Sequence, residues 1–263
     1  MKNLRRLFRL SRALLHVGYG VLLLLLFPRL SRQQGLTPWQ WRIVNRWMRE
    51  LCVIIGLRVH YRHLDQFKPE LTQLVVANHI SWHDIPVLMA VLNARFVSKI
   101  EIRAWPVIGW MAAKARTLFI RRGERQAAQA MQMSLRDSLQ SHQSVLMFPE
   151  GTTGSGECLL PFKYRLLAAA FCEQIPIQTC TIHYAVDGLS IRDISLTLNE
   201  PFHYHAWRML GYRRIETEVI IGPQVHPADL LSVETPDKAE LKAGAQALHD
   251  MVANQYQSRL TVD

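Results

Sequence analysis

A histidine and an aspartate that suit general-base chemistry stand together in one short segment, Asn78 to Asp84. The segment reads Asn-His-Ile-Ser-Trp-His-Asp, so His79 precedes Asp84 by five positions. A carboxylate that accepts a hydrogen bond from one imidazole nitrogen orients the ring and leaves the other nitrogen basic. The pair is therefore one candidate for a catalytic dyad in which His79 is the general base and Asp84 orients it.

The two side chains can meet only if a helix begins between them. On one regular helix, five positions would turn them about 140° apart. The apolar run 74–77 precedes the segment, and Pro86 follows Asp84 by two positions, where a first helical turn tolerates proline. The pattern predicts a strand, a loop and a helix start in that order, which places the site at the carboxyl end of a strand.

Two other interpretations of these residues stay open at this point. The first is structural: a polar turn with a buried histidine, in which Asp84 serves only as a helix N-cap. The second is a metal site formed by His79, His83 and Asp84. Histidines four apart converge only on a helix, and this segment is a poor helix, so we expect no metal.

The remainder of the chain alternates short β-rich runs with helical ones, which is typical of an α/β fold. The predicted fold is α/β, with a mostly parallel central sheet flanked by helices, preceded by an N-terminal two-helix membrane-attachment unit. Candidate strands are 73–77, 94–98, 117–120, 144–148, 177–184, 194–198 and 216–221. Candidate helices are 85–93, 104–115, 124–140, 162–173 and 236–259.

The net charge of +10 is concentrated at the N-terminus. Residues 1–50 carry ten Lys and Arg against one acidic residue, whereas the remaining chain is nearly neutral. These bases flank an apolar run at 13–27 and three tryptophans, a pattern that suits an anionic lipid surface better than a nucleic acid. We therefore expect membrane lipids as partners and no nucleic acid.

The apolar run fits a retained membrane anchor best. It is interrupted by His16 and followed by Pro28-Arg29, with no small-residue cleavage site, which disfavours a cleaved signal peptide. A buried helix of a soluble protein is the other alternative. A second amphipathic pattern over 38–55 completes the two-helix unit, so we predict a membrane-attachment unit at 1–57 and a second domain at 58–263.

Other familiar kinds of site are disfavoured. The four cysteines show no Cys-x-x-Cys spacing, which argues against a zinc site and a disulfide framework and fits a cytosol-facing protein. No Gly-x-Ser-x-Gly elbow indicates a serine hydrolase, and no glycine-rich phosphate loop appears.

The five-residue His–Asp spacing after an apolar strand resembles the first block of the glycerolipid (lysophospholipid) acyltransferase family, which includes 1-acyl-sn-glycerol-3-phosphate acyltransferases. Further segments resemble the family's other blocks in order, and the match covers residues 72–184. These segments are 96–102 with 105–110, 118–122, 148–152 with 160–163, and 175–177.

The resemblance implies an acceptor site in which cations contact a phosphate and a Glu-Gly turn positions the glycerol hydroxyl. Taken singly, the arginines also suit a solvated strand end, Lys99 a surface cation, and 148–152 a strand-terminating turn. The residues expected at this site are Asn78, Lys99, Arg121, Arg122, Glu150, Gly151, Thr152, Thr153 and Lys163.

One position departs from the family pattern. Enzymes that act on lysophosphatidic acid often carry an arginine after Phe-Pro-Glu-Gly-Thr, where this chain has Thr153. A charge-assisted contact of that kind contributes about 1.5 to 3 kcal/mol. The first expectation for the acceptor is 1-acyl-sn-glycerol-3-phosphate, giving phosphatidic acid, and the alternative is another lyso-lipid such as lyso-ornithine lipid.

The resemblance implies direct O-acyl transfer from an acyl thioester carried by CoA or acyl carrier protein, with no other cofactor. It also implies a place at the cytoplasmic (inner) membrane, with the catalytic domain facing the cytoplasm. The non-enzyme alternative is a membrane lipid-binding protein that keeps the fold and lacks turnover.

Overall fold

The computed structural model describes residues 1–26, 35–120, 125–186, 188–196, 200–233 and 235–260, with the backbone alone at 125–131 and 260. Its strands are β1 (Leu57–Arg62), β2 (Leu74–Ala77), β3 (Arg95–Lys99), β4 (Leu118–Ile120), β5 (Val145–Met147), β6 (Ile177–Ala185) and β7 (Ile215–Val225). Its helices are α1 (Lys2–Leu25), α2 (Pro38–Ile55), α3 (Asp84–Met89), α4 (Ile100–Arg103), α5 (Ile108–Lys114), α6 (Arg125–Gln140), α7 (Tyr164–Cys172), α8 (Phe202–Met209) and α9 (Lys238–Leu260).

The strands form one sheet in the order β1-β7-β6-β2-β5-β3-β4. Every neighbouring pair is parallel except β6 and β7, which confirms the prediction of a mostly parallel sheet. Strand β2 lies at the centre, between β5 and β6, so the loop that follows β2 emerges in the middle of one sheet edge. Central placement gives that loop neighbours on both sides.

Helices cover both faces of the sheet, which explains why β2 is apolar throughout instead of alternating. Val75 and Ala77 pack into a core with residues of α2 and α3. Leu74 and Val76 face the other way, into a core with residues of α6, α7 and α9. All four residues of β2 are therefore buried.

Helix α2 has strong start and stop signals. Thr37 and Gln40 form a capping box at its N-terminus, Pro38 occupies the first turn, and Gly56 ends the helix in the left-handed conformation with φ of 93°. The helix contacts α3, the helix that begins at Asp84, because Asn45 Nδ2 donates to the Met89 carbonyl over 2.7 Å.

Helix α1 packs along the folded domain on one side only. The His16 and Trp47 rings stack with their centroids 4.7 Å apart, and Trp47 Nε1 donates to the His16 carbonyl. Nearer the N-terminus, Arg9 donates to the Leu210 and Tyr212 carbonyls. Within the described residues, α1 is the helix that is long and apolar enough to cross a membrane, and most of it is unburied.

Two of the predicted elements were wrong in detail. The helix predicted over 104–115 is broken at 104–107, and only 108–114 is helical as α5. The predicted strand 194–198 is not one in its described part: after a 3-10 turn, Ile191–Asp193, the backbone N–H of Leu196 bonds to the Ile80 carbonyl and not to a sheet neighbour. Strand β1 and helices α4 and α8 were not predicted.

Candidate active site

The dyad forms at the carboxyl end of β2, as the spacing predicts. His79 Nδ1 and Asp84 Oδ2 lie 2.7 Å apart. His79 sits in the loop and Asp84 is the first residue of α3, with Pro86 inside the first turn. Because Nδ1 is bonded to the carboxylate, it carries the proton and Nε2 is the basic ring nitrogen.

Asp84 is fully buried and accepts hydrogen bonds on both carboxylate oxygens. Oδ2 accepts from the backbone N–H groups of Ile80, over 2.7 Å, and Ser81, over 2.9 Å, in addition to His79. Oδ1 accepts from the Tyr184 hydroxyl over 2.6 Å. Four donors thus compensate a charge that burial alone would make very costly, and they fix the carboxylate beside the imidazole.

Phe148 forms one wall of the site. Its ring stacks on the His79 ring with centroids 3.9 Å apart and an angle of 6° between the planes. Phe96 meets Phe148 edge to face, at 5.6 Å. This leaves the His79 side chain 18% exposed, so the base faces solvent on one side and apolar rings on the other.

Glu150 joins the dyad loop to the loop that follows β5. Its Oε1 accepts from the His79 backbone N–H over 2.7 Å, and its Oε2 accepts from the Leu160 backbone N–H over 2.9 Å. The side chain is buried, and burial raises the pKa of Glu150. The two backbone bonds lower this pKa and the Asp84 charge raises it, and the net pKa is about 7. Glu150 therefore braces the loop that carries the base.

Asn78 ties β2 to β6 at the same level. Its Nδ2 donates to the Ile182 carbonyl over 2.9 Å, and its Oδ1 accepts from the Ile182 N–H over 2.7 Å. The side chain is buried with both amide atoms used. Asn78 therefore fixes the backbone next to His79 to strand β6.

Lys163 lies over the turn that follows Glu150. Gly151 adopts a φ of 72°, and a Cβ built on it would stand 2.6 Å from Lys163 Nζ. A side chain at this position would displace the ammonium group, so the glycine permits the close approach. Thr152 beside it is partly exposed.

Thr153 donates its hydroxyl to the Leu196 carbonyl. The next residue, Gly154, donates its N–H to the His79 carbonyl over 2.7 Å, and Ser195 Oγ donates to the Gly154 carbonyl. Segment 153–154 and segment 195–196 together cover the dyad loop, and the Thr153 side chain is used in that contact.

Of the remaining predicted cations, the structure describes Lys99 alone. Lys99 is exposed at the carboxyl end of β3, two strands from β2 on the same sheet edge. Arg121 and Arg122 lie outside the described residues. Among the residues that are described, no three His, Cys, Asp or Glu side chains come together as a metal site.

Comparison with known proteins shows the family of this chain. Residues 58–183 match the family model Acyltransferase. The lyso-ornithine lipid O-acyltransferase of Pseudomonas aeruginosa is 34% identical to this chain over 94% of its length and 92% of the relative's. This chain belongs to the acyltransferase family.

Other relatives differ in their acceptors. The lyso-ornithine lipid O-acyltransferase of Rhodobacter capsulatus is 35% identical over 81% of this acyltransferase and 76% of that protein. The 1-acyl-sn-glycerol-3-phosphate acyltransferase of Neisseria gonorrhoeae is 40% identical over 42% of this chain and 44% of its own. The crystal structure of the Thermotoga maritima 1-acyl-sn-glycerophosphate acyltransferase aligns with a TM-score of 0.68 over 98% of both chains at 17% identity, which shows a shared fold.

Two residues of the acyltransferase site were missed by sequence reasoning. Tyr184 ends a predicted strand, but no spacing relates it to Asp84, 100 positions earlier. Trp82 lies inside the dyad segment, yet its indole Nε1 donates to Nδ1 of His205, 123 positions later. Both contacts depend on the order of the strands and on α8, neither of which a local pattern reports.

Asp84→Asn tests the orienting role of the carboxylate. The amide has nearly the size and shape of the carboxylate, so the fold is kept, but it carries no charge to stabilise the imidazolium and no longer fixes the tautomer of His79. We expect kcat to fall about 100-fold or more, with the KM for the thioester changed less than about threefold. The matched control is Asp65→Asn, an exposed aspartate. Steady-state acyl transfer near the wild-type rate in folded Asp84→Asn would contradict the dyad.

Glu150→Gln tests the brace through the pH dependence of stability. Because the pKa of Glu150 is raised from 4.5 to about 7, the folded protein holds this proton more tightly than the unfolded chain. Its contribution to the free energy of unfolding is present below pH 4.5 and is lost as the pH rises toward 7. Glutamine cannot titrate, so we expect this pH-dependent change in the free energy of unfolding, about 3 kcal/mol, to be absent from Glu150→Gln.

Urea unfolding of the purified acyltransferase at a series of pH values measures this difference. Glu157→Gln is the control, because Glu157 is exposed and its pKa is lowered by Arg192. A wild type and a Glu150→Gln variant with the same pH dependence would show that Glu150 does not titrate in this way.

Proposed function

We propose that this acyltransferase transfers an acyl group from a thioester to the hydroxyl of a lyso-ornithine lipid. The observation that carries the chemistry is the 2.7 Å contact between His79 Nδ1 and buried Asp84. The acceptor is proposed from two features: similarity along nearly the whole chain to lyso-ornithine lipid O-acyltransferases, and a neutral Thr153 whose hydroxyl is held by the protein.

The proposed step is direct transfer. His79 Nε2 takes the proton of the acceptor hydroxyl as the oxygen attacks the thioester carbonyl, and a C–O bond forms. The tetrahedral intermediate then expels the thiolate, which takes the proton from the imidazolium, so His79 returns to its neutral state. A positioned base of this kind contributes about 10² to 10⁴ in rate. The donor is a thioester of CoA or acyl carrier protein, and no other cofactor enters the step.

The two candidate acceptors differ in the charge of their headgroups. Lysophosphatidic acid carries a phosphate with nearly two negative charges, whereas ornithine presents one carboxylate and one ammonium group. An arginine at position 153 would serve the phosphate through a bidentate contact. Thr153 offers no charge, which favours the zwitterionic headgroup.

Lysophosphatidic acid is the second candidate because cations remain near the site. Lys163 Nζ lies over Gly151, and Lys99 stands at the same sheet edge. The local 40% identity to the Neisseria gonorrhoeae relative also supports it. We rank it second, since that similarity covers less than half of either chain.

We further propose that α1 lies in the lipid interface at the cytoplasmic membrane, with the catalytic domain on the cytoplasmic side. One face of α1 packs on the domain through Arg9, His16 and Gly20, so the helix cannot cross the bilayer without leaving that contact. The opposite face is apolar and exposed at Leu4, Leu7, Phe8, Leu14, Leu15, Leu22 and Leu25. Such a one-sided helix with Lys and Arg at its start is typical of interfacial attachment.

The acceptor proposal predicts a preference that a single residue can shift. We expect wild-type protein to acylate lyso-ornithine lipid with a higher kcat/KM than lysophosphatidic acid. Thr153→Arg is expected to raise the ratio of lysophosphatidic acid to lyso-ornithine lipid kcat/KM about tenfold, through one charge-assisted phosphate contact. Product mass spectrometry with both acceptors and a thioester donor measures the ratio.

Two control variants frame that assay. His79→Ala is expected to abolish transfer to both acceptors, and Thr72→Arg, at the opposite end of β2, is expected to leave the ratio unchanged. Transfer to lysophosphatidic acid alone by the wild type would reject the proposed acceptor, and lipid binding without transfer would favour the non-enzyme alternative.

The interfacial position of α1 predicts a loss of membrane binding when its exposed face is made polar. Leu7, Leu14 and Leu22 are each more than half exposed, so replacing all three with Gln should leave the core intact. We expect affinity for anionic vesicles to fall at least about 100-fold, because each leucine gains more than 1 kcal/mol in lipid. The same triple change at exposed Leu64, Leu71 and Leu189 is the matched control for ultracentrifugation. Equal pelleting of both triple variants would contradict the assignment.

A further inference from the structure

A strained turn separates α4 from α5 on the active-site side of the sheet. Val107 has φ of 62° and ψ of −60°, and the Ile108 N–H donates to the Pro106 carbonyl over 2.6 Å. These values describe the rare γ-turn with positive φ. A β-branched residue is strongly disfavoured in this conformation, and glycine or asparagine would fit it at less cost.

The residues around Val107 hold this conformation in place. The Gly109 N–H donates to the Trp105 carbonyl over 3.0 Å, and the Met111 N–H donates to the Val107 carbonyl over 2.8 Å. A Cβ on Gly109 would lie 2.3 Å from the Arg103 carbonyl oxygen, so the chain is packed closely there. The turn is thus a rigid feature that directs the Val107 side chain outward.

The turn exposes apolar side chains to water, which the hydrophobic effect disfavours. Val107 is 46% exposed, Ile108 39% and Trp110 38%. Cations flank them: Lys114 Nζ lies 5.8 Å from the Trp110 ring centroid, and the Arg103 guanidinium lies 5.8 Å from the Phe119 ring centroid. An apolar tip beside cations suits an anionic lipid surface.

The turn is continuous with both α1 and the active site. Gly20 of α1 faces the Met111 side chain of α5, so the exposed face of α1 and the turn belong to neighbouring elements. On the other side the Trp105 ring contacts Phe202 at 5.0 Å, and Phe202 contacts Trp82 at 5.7 Å. This row of rings ends two residues before Asp84.

We propose that the turn 105–110 inserts into an anionic lipid monolayer as a second membrane contact, and thereby holds the mouth of the His79 site against the leaflet that presents the acceptor. The strain at Val107 is then balanced by burial of Val107, Ile108 and Trp110 among acyl chains. The proposal rests on the proposed function in one respect only, that the acceptor is delivered by a membrane.

A fluorophore at position 107 tests the insertion without requiring turnover. The full-length protein carries Cys158→Ser and Cys172→Ser, because these are its exposed cysteines, and Val107→Cys is labelled with an environment-sensitive dye. The matched site is Val233→Cys, since Val233 is 47% exposed. The probe is a vesicle of phosphatidylcholine and phosphatidylglycerol with a quencher on the acyl chains.

On vesicle binding, we expect the dye at 107 to shift to shorter wavelength and to be quenched, and the dye at 233 to change in neither respect. If the protein pellets with vesicles and the two dyes behave alike, the turn does not insert and the proposal is wrong. A shift at 107 that appears without vesicles and grows with protein concentration would also overturn it, because a second copy of the chain would then cover the turn.

Val107→Asn supplies a test that folding problems cannot obscure. Asparagine lacks the β-branch that makes a positive φ most costly for valine, so the unfolding temperature should be unchanged or raised. Vesicle affinity is expected to fall about fivefold, whereas Val233→Asn leaves it unchanged. Unaltered affinity in Val107→Asn contradicts insertion, even if acyl transfer to lyso-ornithine lipid is confirmed.

Discussion

The buried Asp84 carboxylate is the constraint around which the active site is arranged. A charge without contact with water needs several donors, and here they come from the His79 ring, two backbone N–H groups of the same loop and the Tyr184 hydroxyl. The loop must therefore curl around the carboxylate, and β6 must run beside β2. Asn78 secures the second condition by bonding the backbone of Ile182.

Glu150 is a second buried carboxylate, and its role differs from that of Asp84. Glu150 accepts from only two backbone groups, so burial prevails and raises its pKa to about 7. Its bonds to the backbone of His79 and Leu160 make it a link between two loops and place it behind the base. The family resemblance implies that the Glu-Gly turn positions the acceptor hydroxyl, and the structure shows that the Glu150 carboxylate also positions the loop of His79. A rigid loop of this kind supports the alignment on which direct transfer depends.

The same loop architecture bears on which lipid is acylated. Thr153 bonds to Leu196, and Gly154 to the His79 carbonyl, so the position where the family resemblance leads one to expect an arginine is here part of the cover over the dyad. We propose that the acceptor reaches the site along the exposed apolar surfaces. Helix α1 and the turn 105–110 adjoin each other, and the row of rings through Phe202 and Trp82 connects that surface to the site.

The sequence by itself determined the dyad, the order of strand, loop and helix around it, the α/β class and the basic, apolar N-terminus. These are local properties: apolar runs, a proline in a first turn, and charge along the chain. Its errors also had local causes, since the γ-turn at Val107 interrupts an otherwise helical pattern, and in the predicted strand 194–198 the Leu196 N–H bonds to the Ile80 carbonyl instead of to a strand. Only the tertiary structure decided that Tyr184 completes the Asp84 site, that Asn78 and Glu150 brace it, and that α1 is exposed on one face. Each of these depends on contacts between residues 70 or more positions apart or between packed elements, and side-chain periodicity carries no record of which distant partner a residue meets.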